Sequence, residues 1–71
     1  MPEQDIKQHV GQLIREARKA KGLTQKDLSK ELGVSETAVN RYESGQNFTI
    51  ETLFKIAKVI GVSVESLVKG V

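Results

Sequence analysis

The sequence predicts an all-α protein, a compact five-helix bundle, and three observations carry that expectation. Apolar residues recur at helical spacing in every segment that has them. Gly22, Gly33, Gly45 and Gly61 each close such a segment, and three of the four are followed within two residues by Thr or Ser, the signature of a glycine stop and a hydroxyl N-cap. No strand survives the same reading of periodicity.

The first helix is expected from about Asp5 to Lys21, with Ile6, Val10, Leu13, Ile14 and Ala17 on one inward stripe. The second begins at Thr24, whose hydroxyl can cap the amide of Asp27 while the Asp27 carboxylate lies in the favourable field of the first turn. Leu28 and Leu32 are its inward residues. The third, 35 to 44, is capped by Ser35 and closed by Gly45. The fourth runs from Thr49 or Ile50 to Ile60 and packs Leu53, Ile56, Ala57 and Ile60. The fifth, capped by Ser63, offers Val64, Leu67 and Val68. Connections of about three to five residues leave no room for crossovers, so consecutive helices are expected to be neighbours in one unit covering residues 6 to 68.

Length and composition bound the function. A chain of 71 residues has room for one domain, and a domain of this size buries only about 60% of its unfolded surface. With 38% hydrophobic and 28% charged residues it is too apolar for a disordered chain. It has no cysteine, which excludes disulfides and thiolate metal sites and points to a reducing, cytoplasmic setting. MPEQDIKQHV lacks a signal-type apolar stretch, and nowhere do roughly 18 apolar residues run together. The net charge is +2, with Arg15, Arg18, Lys19 and Lys21 clustered around Glu16 as a solvated face or a basic patch.

Catalysis finds little support in these residues. His9 is the single histidine, on a helix end expected to fray, and no glycine-rich phosphate loop follows a strand. Asp27 and Glu31 stand at i, i+4, which reads as solvated surface charge before a dyad or a metal site. No catalytic residue, metal or cofactor is expected.

The third helix poses the functional question, because within GVSETAVNRYESG the helical residues 35 to 44 supply only Val39 and Tyr42 as large apolar anchors. With Glu36 at zero on a helical wheel, Asn40 lies at about 40°, Ser44 at about 80°, Thr37 at about 100° and Arg41 at about 140°, while Tyr42 and Val39 fall at about 240° and 300°. One narrow stripe anchors the helix and the remainder is presented. Short side chains that donate, accept and offer a methyl group suit base edges in a major groove. Arg41 can pair with guanine, Asn40 with adenine or a phosphate, the Thr37 methyl suits thymine, and Glu36 can accept from cytosine. Glu36 has a second role available, as an acid stabilising the first turn of its own helix.

The preceding segment strengthens that reading. Gln25, Leu28, Ser29, Leu32, Gly33, Val34, Val39 and Tyr42 have helix-turn-helix spacing: apolar residues hold two helices at a steep angle, small Ser29 permits close approach, and Gly33 makes the turn. Together with IREARKAKGLTQKDLSKELGVSETAVNRYESG and TIETLFKIAKVIGVSVESLV, the chain resembles the phage repressor and Cro-type helix-turn-helix proteins, the XRE family, from about Val10 to Val68. The resemblance implies a lambda-repressor-like DNA-binding domain, with the third helix in the major groove. It implies base reading by Glu36, Thr37 and Arg41, with Asn40 adjacent, and a phosphate-binding and bracing role for Gln25. It also implies a partly buried ion pair between Arg18 and Glu43, against a phosphate contact for Arg18.

One departure concerns the loop Gly45-Gln46-Asn47-Phe48-Thr49, where family members often carry a lysine or arginine. Ser44, Gln46, Asn47 and Thr49 can still bind phosphate there, without the charge that releases counterions, and Phe48 is assigned to the core. Weak binding by a lone monomer is therefore expected, and a homodimer on an inverted repeat is the family's usual solution. Val64, Val68 and Val71, at i, i+4 and i+7, are its candidate interface or else a capped core edge. The partner implied is double-stranded DNA and the role that of a repressor-like transcriptional regulator; the alternative is a protein-interaction or antitoxin-like adaptor on the same scaffold.

Overall fold

Hydroxyl side chains open four of the five helices in the computed structural model, which describes residues 2–71 apart from the Gln4 side chain. The helices are α1 (Glu3–Ala20), α2 (Gln25–Leu32), α3 (Glu36–Glu43), α4 (Ile50–Ile60) and α5 (Val64–Leu67). Thr24 Oγ1 accepts from Asp27 N at 3.0 Å while Asp27 Oδ2 accepts from Thr24 N at 2.9 Å, a complete capping box. Ser35, Thr49 and Ser63 accept the amides of Ala38, Thr52 and Ser66 in turn. Gly33 and Gly61 close α2 and α4 in the left-handed conformation that only glycine adopts without cost.

Several boundaries differ from the sequence reading. α1 starts at Glu3, two residues before Asp5, because the Pro2 carbonyl accepts the amides of Asp5 and Ile6, and acids at Glu3 and Asp5 suit the first turn. His9 accordingly lies within a formed helix, not on a frayed end. α3 ends at Glu43 with Ser44 as its C-cap, and Gly45 turns the chain at φ +83°. α5 stops at Leu67, so Val64, Val68 and Val71 do not form a continuous helical stripe. Val68 is its C-cap, Gly70 has φ +84°, and Val71 N returns to Val68 O.

Nine buried apolar residues among those described, Val10, Ile14, Leu28, Val39, Leu53, Ile56, Ala57, Ile60 and Leu67, come from all five helices and meet in one cluster. Phe48, Tyr42, Leu32, Val34 and Val64 pack against it from the side. Leu13, expected inward, is only half-buried; the stripe of α1 is centred on Val10 and Ile14, and its other flank is taken by the buried Gly11 and Arg18. Neighbours in space are not simply neighbours in sequence. The main contacts of α1 are with α3, α4 and α5, while α2 lies against α3 and α4. The reason is length: an 18-residue α1 runs past the ends of the shorter helices, and its long apolar stripe serves three of them.

Candidate nucleic-acid interface

α2 and α3 are held as a pair by short contacts at their junction. Ser29 is buried with its hydroxyl donating to Lys26 O at 2.7 Å, so a polar residue sits at the crossing without an unsatisfied group. Gly33 at φ +72° makes the turn, and Val34 N returns to Ser29 O. Val39 is fully buried and Tyr42 half-buried, which fixes the rotation of α3 about its axis. Glu36, Thr37, Asn40 and Arg41 are consequently all exposed on the outer face.

A polar network locks the far end of α3. Arg18 donates through Nε to Glu43 Oε2 at 2.6 Å and through Nη2 to Glu43 Oε1 at 3.2 Å, and its Nη1 donates to Leu23 O at 2.7 Å. The two side chains are 8% and 4% exposed, so the Arg18 guanidinium is held inside the fold against Glu43. Gln25, from the first turn of α2, donates its carboxamide to Glu43 Oε1 at 3.1 Å. One carboxylate thereby joins α1, α2 and α3, and no buried side-chain nitrogen or oxygen among the described residues lacks a partner.

Besides Gln25, whose carboxamide is held by Glu43, the residues singled out for phosphate binding fall into two groups. Gln46 and Asn47 are exposed at the tip of the α3–α4 loop, and Asn47 has φ +60°, a left-handed conformation that asparagine tolerates better than most residues. Ser44 and Thr49 are exposed but occupied: Ser44 Oγ donates to Asn40 O at 3.0 Å, and Thr49 Oγ1 caps α4 and lies 3.1 Å from Thr52 Oγ1. Both hydroxyls finish helix ends. His9 is likewise engaged, its Nε2 against the backbone carbonyl of Lys69.

Sequence reasoning missed Gly11. A Cβ there would stand 2.6 Å from Glu43 O and 2.8 Å from both Tyr42 O and Gly45 N, so α1 touches the end of α3 backbone to backbone. The signal was present as a glycine inside a helical pattern, where it is tolerated only for a packing or functional reason.

Fold and face together define a helix-turn-helix domain of the type found in transcriptional regulators. The chain belongs to the Helix-turn-helix family, which it matches over residues 14–67. It is 48% identical over 48 residues, 68% of its length, to an HTH-type transcriptional regulatory protein of Archaeoglobus fulgidus, of which it spans 16%. It is 41% identical over 51 residues, 70% of its length, to the cryptic phage CTXphi transcriptional repressor RstR of Vibrio cholerae, of which it spans 46%. Among solved structures, the restriction-modification controller protein C.AhdI from Aeromonas hydrophila superposes with a TM-score of 0.76 at 33% identity, covering 87% of this chain and 92% of that one. No helix among the described residues is long and apolar enough to cross a membrane.

Proposed function

We propose that the chain is a sequence-specific, repressor-like regulator that seats α3 in the major groove of double-stranded DNA in the cytoplasm. The observation that carries this reading is the division of α3: Val39 and Glu43 are held inside while Glu36, Thr37, Asn40 and Arg41 stand together outside. Arg41 and Asn40 supply the directional hydrogen bonds, Thr37 a methyl contact, and Glu36 an acceptor for cytosine. Gln25 at the start of α2 and Gln46 and Asn47 in the loop flank α3 and would grip the two phosphate strands. Ser44 and Thr49 would join them only through lone pairs or rotated hydroxyls, given their present bonds.

A second copy doubles the contact area, and a two-fold pair places two α3 helices roughly 34 Å apart, selecting an inverted repeat. In this reading the copies meet at the C-terminal segment, where Val71 is 61% exposed and Val64 and Val68 are half-buried. The role is one of binding and not of catalysis. An adaptor using α3 against a protein would need an apolar anchor on that helix. Among the described residues the exposed large apolar side chains are Ile50 and Phe54 on α4 and Val71 in the C-terminal segment, with none on α3.

Titration against random duplex DNA at two salt concentrations tests the reading, followed by selection of bound duplexes from a random pool. Binding that strengthens at low salt, and a selected inverted repeat, are the expected results. Absent or salt-insensitive binding overturns the proposal.

A further inference from the structure

We propose that the cleft between the start of α1 and the α3–α4 loop is a phosphodiester site with Lys7 as its cation, an inference that rests on the DNA-binding reading above. The sequence leaves this loop neutral, with no lysine or arginine between Arg41 and Lys55. The fold supplies the charge from elsewhere. The cleft is lined by Glu3, Lys7, Gly45, Gln46 and Asn47, which places one cation beside two carboxamides from a segment about forty residues away in sequence.

The placement is rigid because the two backbones touch. A Cβ on Gly45 would stand 2.8 Å from both Lys7 C and Gln8 N, so the loop rests directly on the α1 backbone at the residue that carries the charge. Gln46 N donates to Arg41 O at 2.7 Å, which ties the loop to the last turn of α3. A strand whose bases meet Arg41 therefore has its backbone near this loop.

Lys7 is free to change partner. Its Nζ lies 3.3 Å from Glu3 Oε1, one turn earlier on α1, with the two side chains 49% and 84% exposed. Such a pair is weak because water solvates both ends. A phosphate approaching Gln46 and Asn47 competes for the same ammonium, and the Glu3 carboxylate opposes it. The two members of one ion pair thus act on DNA with opposite sign, and a loss at Lys7 that exceeds the loss at a distant cation is what marks a local contact.

The test is fluorescence anisotropy of a labelled duplex with the full chain and its Lys7→Gln, Glu3→Gln and Lys58→Gln variants, at about 50 and 200 mM salt. Lys58 is the control, an exposed cation in the last turn of α4, at the opposite end of that helix from the loop. Lys7→Gln is expected to reduce the log–log salt slope by about 0.9, so that its affinity loss is roughly threefold greater at the lower salt and equal for all sequences. Glu3→Gln is expected to bind more tightly than the unaltered chain. A Lys7→Gln variant indistinguishable from Lys58→Gln, or Glu3→Gln and Lys7→Gln weakening binding alike, overturns the site while the unaltered chain still binds. Failure of the unaltered chain to bind removes the DNA reading itself.

Discussion

Gly11 and Gly45 meet backbone to backbone, with a Cβ on Gly11 falling 2.8 Å from Gly45 N. Through this contact α1 supports the last turn of α3 and the loop beyond it, so the outer face of α3 is presented from a rigid base. Neither glycine can be replaced without moving a backbone.

Gly11→Ala is therefore expected to destabilise the fold by about 1–3 kcal/mol, even though alanine is the better helix former. Urea titration of the variant checks this, and a stability equal to or above that of the unaltered chain contradicts the close approach.

Arg18 and Glu43 form a buried pair whose members cannot be removed singly at low cost. Arg18→Met or Glu43→Leu alone is expected to lose about 3–5 kcal/mol, because each leaves an unpaired internal charge. In a domain of this size that is much of the available stability. The double variant should cost clearly less than the sum, as measured by a thermodynamic cycle in urea; additive losses would mean that the two charges are not coupled.

Arg41→Ala is expected to cost roughly 1–3 kcal/mol of DNA affinity and to relax preference at one base pair, without changing thermal stability, since its side chain is exposed. Gln25→Ala should weaken all duplexes equally and also lower stability by about 1 kcal/mol, because Gln25 donates to Glu43. Binding to a panel of single-base operator variants separates the two residues. Uniform weakening by Arg41→Ala would reassign it to a phosphate.

Asp27 links stability to acid. The Thr24 backbone amide, and then its hydroxyl, hold the Asp27 carboxyl below its usual range. With the folded pKa below the unfolded one, the contribution is present in full above about pH 4 and is lost as pH falls through the folded value. Asp27→Asn should flatten that part of the acid limb in thermal melts from pH 5 downward. An unchanged limb would remove the capping box as its cause.

Val71→Asp places a charge on an exposed apolar residue outside the core. Sedimentation should show a shift toward monomer with unchanged thermal stability, and affinity for an inverted repeat should fall while that for a half-site holds. A dimer unaffected by the change puts the interface elsewhere.

Much of this protein follows from local chemistry. The caps at Thr24, Ser35, Thr49 and Ser63 depend on residues three apart in the chain, and the buried faces of α2, α3 and α4 follow from helical spacing, so each could be read without knowing the fold. The exposure of Glu36, Thr37, Asn40 and Arg41 follows the same way once Val39 is an anchor. The stripe proposed for Val64, Val68 and Val71 failed because spacing alone does not say where a helix stops. Gly70 at φ +84° and the capture of the Lys69 carbonyl by His9, sixty residues earlier, redirect the tail.

The linear chain by itself determined the five helices, their caps and the polar face of α3, because these depend on neighbours within a turn or two. Only the tertiary structure decided that Gly11 bears on Gly45, that Gln25 shares the Glu43 carboxylate already expected to pair with Arg18, and that Lys7 stands beside a loop with no cation of its own. These contacts join residues far apart in sequence, and their distances are set by how helices cross, which no local periodicity encodes.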